Sequence, residues 1–131
     1  MYGLSSTDKF LIETPMPFSV NEQYAAVVFE IKGRFLGSVD GPKFKESLAE
    51  VIDAGKTQVI VDLSKADFMD SSGIGILIGG LTSVRRSNGD MRLAGMTKRI
   101  RNLFLITKLL GSVFDDYEDV KSAAESFRTN P

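Results

Sequence analysis

The chain has 131 residues, 43% of them hydrophobic and 25% charged, a balance that suits one folded domain with a sizeable core rather than a disordered chain. Sixteen basic residues against seventeen acidic ones leave a net charge of -1, without the broad basic footprint of a nucleic-acid binder. The sequence holds no cysteine and no histidine, which removes disulfides, thiolate nucleophiles, histidine triads, histidine acid–base catalysis and His-ligated zinc or iron centres.

Residues 1–10 lack the basic start and apolar core of a signal peptide. The longest apolar run, residues 73–81, is too short and glycine-rich to span a bilayer. A soluble, cytoplasmic protein without membrane association is expected.

In chain order, Phe10-Leu11-Ile12-Glu13 can begin a strand, which Pro15 and Pro17 push to a sheet edge because proline donates nothing to a ladder. Residues 24–32 predict a strand with Ala25, Val27, Phe29 and Ile31 on one half-buried face, and Asn21-Glu22-Gln23 is the expected turn of an N-terminal hairpin. Residues 33–41 read as a loop carrying Gly33, Gly37 and Gly41, with Pro42 at a first helical position. Phe44, Leu48, Val51 and Ile52 then mark an amphipathic helix stopped near Gly55. Val59-Ile60-Val61 with Leu63 is a β-branched run of the kind that fills a central strand covered on both faces.

The spacing of Ile74, Leu77, Ile78, Leu81 and Val84 predicts a helix closed by Asn88-Gly89. Met91-Arg92-Leu93-Ala94 is a short strand. A helix from about Thr97 carries Ile100, Leu103 and Phe104 and extends over Leu109-Leu110 to Gly111. Val113-Phe114 is the last strand, and Val120, Ala123, Ala124 and Phe127 mark a final helix. The order β-β-α-β-α-β-α-β-α implies an α/β fold with a mixed, mostly parallel sheet and about four helices, the hairpin supplying the antiparallel edge. No repeat, low-complexity tract or linker divides the chain, so residues 1–131 are expected to form one domain with its core at about 10–128.

Asp70-Ser71-Ser72-Gly73-Ile74-Gly75 falls between an apolar strand and an apolar helix. It occupies a helix N-terminus, where free N–H groups and the macrodipole favour negative charge. Ser71 is open to two readings, an N-cap or a site of covalent modification. Asp70 either caps the helix or positions the hydroxyl. Gly73, Gly75, Gly79 and Gly80 match neither the dinucleotide fingerprint nor the Walker pattern, and are better explained by close approach of the helix to the sheet or a partner. Ile74 and Leu77 are expected in the core. Arg85, Arg86, Arg92, Lys98, Arg99 and Arg101 read as solvated faces. Asp115, Asp116, Glu118 and Asp119 lack calcium-loop spacing and are expected to begin the last helix, where acidic residues suit the dipole. No metal site follows from any of these groups.

Val59-Ile60-Val61-Asp62-Leu63-Ser64 leading into Phe68-Met69-Asp70-Ser71-Ser72-Gly73-Ile74-Gly75 resembles the STAS domain. Within that family it is most similar to the bacterial anti-sigma factor antagonists. Gly89-Asp90-Met91-Arg92-Leu93 resembles the family's fourth strand, and residues 100–110 its third helix. The chain departs from the family at Gly33-Arg34-Phe35-Leu36-Gly37-Ser38-Val39-Asp40, where a Gly-x-Leu-Asp turn is more usual. That loop borders the family's partner surface.

The resemblance implies a phosphorylation-controlled binding protein and not an enzyme. Ser71 would accept phosphate from a partner that is both anti-sigma factor and serine kinase, with Ser72 the lesser alternative. A metal-dependent serine phosphatase would remove the phosphate. The dephosphorylated form would hold the kinase and so release a sigma factor. Partner contacts are expected at Asp70, Ser72, Gly73, Gly75, Phe35 and Leu36, with no cofactor, no direct nucleic-acid contact, and a monomeric or weakly dimeric state. A second reading is a STAS scaffold in a larger sensory complex that does not act directly on a sigma factor. A small enzyme or nucleotide-binding protein ranks last, for want of histidine, cysteine and a phosphate loop.

Overall fold

A computed structural model describes residues 18–129. The strand expected at Phe10-Leu11-Ile12-Glu13 and the two prolines after it lie outside the described residues. Strands β1 (Phe18–Gln23) and β2 (Ala26–Phe35) form an antiparallel hairpin with Gln23 opposite Ala26. The turn is therefore Tyr24-Ala25, not residues 21–23, and its two residues have φ of 54° and 67°. Two consecutive left-handed residues give a two-residue hairpin the twist its strands require. Neither is glycine or asparagine, so the turn carries no compositional signal, while Asn21 lies in β1.

β2 runs through Gly33 to Phe35 and α1 (Gly37–Asp53) begins after Leu36 alone, so the expected loop over 33–41 does not form. Pro42 lies inside α1 rather than at its first position. Asp40 ties the first turn back by accepting the Leu36 N–H at 2.7 Å. The remaining elements are β3 (Gln58–Met69), α2 (Ser71–Arg86), β4 (Asp90–Ala94), α3 (Lys98–Ile106), β5 (Asp116–Tyr117) and α4 (Val120–Thr129). Strand order across the sheet is β1-β2-β3-β4-β5, with every pair parallel except the hairpin.

Helix ends follow from left-handed residues placed just past them. Gly55 and Asn88 close α1 and α2 as the sequence suggests, with the Lys56 N–H donating to the Val51 carbonyl and the Gly89 N–H to the Val84 carbonyl. Lys108 does the same for α3 at φ 59°, and the Leu109 N–H reaches the Phe104 carbonyl at 2.9 Å. These are the bonds of a Schellman closure. They end α3 at Ile106, so Leu109 and Leu110 do not extend it. Leu110 instead forms a lone bridge to Phe114, and the last strand is Asp116–Tyr117, not Val113-Phe114. Phe114 turns into the core against Phe104, ring centroids 5.8 Å apart. Of the acidic residues before α4, Asp119 accepts the Ser122 N–H at 2.8 Å, whereas Asp116 lies in β5 and pairs with Arg101.

The sheet is covered on both faces. Val27, Phe29, Ile31, Val59, Val61 and Leu63 pack with α1, α2 and α3. Ala26, Val28, Ile60 and Ala94 pack with Ala123, Ala124 and Phe127 of α4. β2 is buried on both sides over Ala26–Phe29 and half-buried beyond, where Lys32 and Arg34 are exposed, and Ala25 belongs to the turn. Phe44 anchors α1 to the hairpin, its ring 5.7, 5.0 and 5.6 Å from those of Phe18, Phe29 and Phe35. An alanine held left-handed is costly where glycine is not. Ala25→Gly should accordingly stabilise the protein by about 0.5–1 kcal/mol, read as a raised urea midpoint at unchanged m-value.

Candidate functional site

Phe35 and Met69 are the last residues of two adjacent parallel strands and stand in register. A helix follows each strand within two residues, so α1 and α2 start side by side at the same edge of the sheet. Asp70 sits where they meet. Its backbone is extended (φ -85°, ψ 174°) and it is the N-cap of α2. One carboxylate oxygen, Oδ1, accepts the Gly73 N–H at 2.6 Å, the Ser72 hydroxyl at 3.0 Å and the Gly37 N–H at 3.0 Å. A single oxygen thus joins the N-termini of both helices, 33 residues apart in sequence.

Glycine is required on both sides of this joint. A Cβ at Gly37 would lie 2.3 Å from the Ser72 carbonyl carbon, and one at Gly73 would lie 2.7 Å from the Phe35 oxygen. The N–H groups of Gly37 and Gly73 hold the Asp70 carboxyl below the ordinary carboxylate range, outweighing an opposing effect of desolvation, and the Ser72 hydroxyl adds a lesser lowering. Ser71 is the first residue of α2. It is exposed, and its hydroxyl makes no hydrogen bond among the described residues. The cap is therefore Asp70, and Ser71 takes no part in the network beside it.

The family model for the STAS domain matches residues 18–123, a span that includes every strand from β1 to β5 and the Asp-Ser-Ser-Gly turn. The chain belongs to the STAS family. It is 36% identical over 77 residues to the anti-sigma-B factor antagonist of Listeria monocytogenes, covering 56% of this chain and 67% of that protein. It is 32% identical over 82 residues to the anti-sigma-B factor antagonist of Staphylococcus epidermidis, covering 62% and 76%. Among solved structures, a candidate anti-sigma factor antagonist from Thermotoga maritima matches with a TM-score of 0.75 at 20% identity, covering 85% of this chain and 94% of that one. The antagonist SpoIIAA matches in its unphosphorylated form with a TM-score of 0.66 at 18% identity, covering 87% of this chain, and in its phosphorylated form with 0.65 at 22%, covering 85%. Each SpoIIAA chain is covered over 99% of its length.

Within this STAS domain the residues expected at a partner surface divide. Asp70, Ser72 and Gly75 reach solvent, and Leu36 is half-buried. Phe35 is 0% exposed, because the last residue of β2 faces the core and packs on Phe44. Gly73 is buried under the Phe35 carbonyl. Neither can offer a side chain to a partner, and both act from inside. The helical glycines divide in the same way. Gly80 is filled by Met91, Leu48 and Phe44, whereas a Cβ at Gly75 or Gly79 would meet nothing within 4 Å.

Two features escaped the sequence. Gly37 reads as one loop glycine among three, and nothing local links it to Asp70. Val39, in the first turn of α1, is 70% exposed; an apolar residue in the polar stretch before Pro42 was the one available hint. The basic residues also differ from expectation at Arg92, which is 3% exposed. Its guanidinium bonds Ser126 at 2.6 Å, pairs with Asp90 at 3.1 Å and lies 4.1 Å from the Phe127 ring centroid. It fastens α4 to β4 rather than facing solvent. Among the described residues, no group of three or more His, Cys, Asp or Glu side chains can hold a metal ion, and no helix is long and apolar enough to cross a membrane.

Two measurements test the joint. Gly37→Ala should destabilise the fold by about 1–3 kcal/mol, because the new methyl meets backbone that cannot move aside; the denaturant midpoint reads this. Asp70 is stabilised in its charged form, so its contribution is present above the unfolded carboxylate value of about 3.9 and is lost as pH falls through its lower folded value. Unfolding curves of wild type and Asp70→Asn should therefore differ at pH 6 and converge as pH is lowered below about 4.

Proposed function

We propose that this chain is an anti-sigma factor antagonist whose partner binding is switched by phosphorylation of Ser71. The observation that carries the reading is the exposed Ser71 hydroxyl, which stands outside the hydrogen bonds that engage its neighbours Asp70 and Ser72. In the dephosphorylated form the chain holds an anti-sigma factor that is also a serine kinase, and so frees a sigma factor. Phosphorylation by that kinase ends the association, and a metal-dependent serine phosphatase restores it. The switch works in the cytoplasm, and the chain is a binding protein and substrate rather than an enzyme. The transfer draws its base and its metal from the kinase.

The physical basis is a local change of charge. A phosphoserine adds about -1.5 to -2 charges and three acceptor oxygens. It would arise beside Asp70, which is held in its ionised form. It would also arise one helical turn from Gly75, where α2 leaves open space for a closely fitting surface. A partner surface shaped for a neutral hydroxyl is then opposed by both bulk and charge. The N–H groups that would soften that charge are partly engaged by Asp70 already. Support for release without refolding comes from SpoIIAA, whose unphosphorylated and phosphorylated forms resemble this chain equally in fold. The relatives in Listeria and Staphylococcus carry the same functional name.

Incubating the chain with its serine-kinase partner and Mg-ATP tests the reading. Phosphate should appear on Ser71 by mass spectrometry and vanish in Ser71→Ala, which should still bind the kinase. Enzymatically phosphorylated protein should bind at least about tenfold more weakly, a difference of roughly 1.4 kcal/mol, with Ser71→Asp showing a smaller loss because it carries less charge. Equal affinity of the phosphorylated and unphosphorylated forms for the kinase would refute the switch.

A further inference from the structure

Ser71 and Ser72 are adjacent, exposed and in the same helical turn. As alcohols they are equivalent, so exposure and chemistry alone do not decide which one a kinase modifies. The structure separates them by one bond: the Ser72 hydroxyl donates to Asp70 Oδ1 at 3.0 Å, and the Ser71 hydroxyl has no such partner among the described residues. Resting on the functional reading above, we propose that Asp70 selects the acceptor, holding the Ser72 hydroxyl in a clamp completed by Gly37 of α1 and leaving Ser71 to receive the phosphate.

In the transfer, the serine oxygen bonds to the γ-phosphorus of ATP and the bond from that phosphorus to the ADP oxygen breaks. The hydroxyl proton passes to the kinase's base. Ser71 can turn to that base without breaking a hydrogen bond to the described residues. Ser72 must first give up a hydrogen bond to a carboxylate, a difference of roughly ten- to a hundredfold in rate. Asp70 cannot follow Ser72 outward, because the same oxygen is held by backbone N–H groups from two separate helices at 2.6 and 3.0 Å. α1 also backs onto Ser72, since a Cβ on Gly37 would lie 2.5 Å from the Ser72 Oγ. A phosphate built on Ser72 would finally place a second negative charge against the carboxylate that held its oxygen. Asp70 acts here as a positioning residue, through its hydrogen bond from Ser72.

The test compares phosphate at the two serines of one chain after reaction with the serine-kinase partner and Mg-ATP, resolved by fragmentation mass spectrometry. A ratio within one molecule is insensitive to how tightly a variant binds the kinase. Wild type should carry phosphate on Ser71, and Ser71→Ala should stay unmodified at Ser72 over the same time. Asp70→Asn retains a good helix cap while weakening the hold on Ser72, and should raise the Ser72-to-Ser71 ratio at least about fivefold; Asp70→Ala, which removes the acceptor, should raise it further. The double variant Asp70→Asn, Ser71→Ala should become phosphorylated at Ser72. Circular dichroism checks that each variant remains folded. An unchanged ratio in folded Asp70→Asn would overturn the proposal while leaving the Ser71 switch intact, as would substantial phosphate on Ser72 of wild type. Phosphate on neither serine of the wild-type chain would overturn the functional reading and this inference with it.

Discussion

Two helices that begin side by side bring two partial positive charges together, and the Asp70 carboxylate resolves that conflict. Oδ1 accepts one backbone N–H from each helix start, so its charge satisfies orphan donors and offsets both dipoles at once. The geometry depends on parallel β2 and β3 ending in register at Phe35 and Met69. It depends equally on glycine at 37 and 73, where any side chain would strike backbone. The placement of Ser71, Ser72 and the first turn of α1 follows from this joint.

The joint stands at the rim of the larger apolar cluster, at the point where Phe35 and Met69 end their strands. Three helices fill one face of the sheet around Phe44, Leu77 and Phe104, and α4 covers the other with small residues and Phe127. A buried guanidinium is expensive unless paired. Arg92 meets that condition with Asp90, Ser126 and the face of Phe127, and so locks α4 in place. A charge added at Ser71 therefore arises outside both apolar clusters.

The glycines of α2 show how close packing and outward accessibility share one helix. Gly73 and Gly80 let the helix approach the sheet, Phe35 and Met91 being in the way of any larger residue. Gly75 and Gly79 have no such neighbour, although glycine in a helix interior costs up to about 1 kcal/mol relative to alanine. They leave the outer face of α2 without side chains at one and two turns from Ser71. One residue type thus permits close packing on one side of the element and leaves open space on the other.

Periodicity was enough for the apolar faces of the helices and the central position of β3, because burial imposes a spacing that the chain must display, whereas the two outer strands, Phe18–Gln23 and Asp116–Tyr117, carry no such pattern. The Asp-Ser-Ser-Gly turn was legible for a similar reason: helix N-termini require particular short side chains. Local chemistry that departs from preference was not legible. The Tyr24-Ala25 turn uses residues that rarely adopt positive φ, and Lys108 ends α3 without a glycine. Residues 33–41 have the composition of a loop, yet pairing with β3 extends β2 through Phe35 and docking against α2 starts α1 at Gly37. That a hydroxyl pair lies at a helix start beside a carboxylate is readable from Asp70-Ser71-Ser72-Gly73 and the apolar run after it. Which hydroxyl is free and which is held was decided only by the tertiary structure, because the Gly37 N–H that fixes Asp70 comes from 33 residues away and no local pattern encodes that meeting.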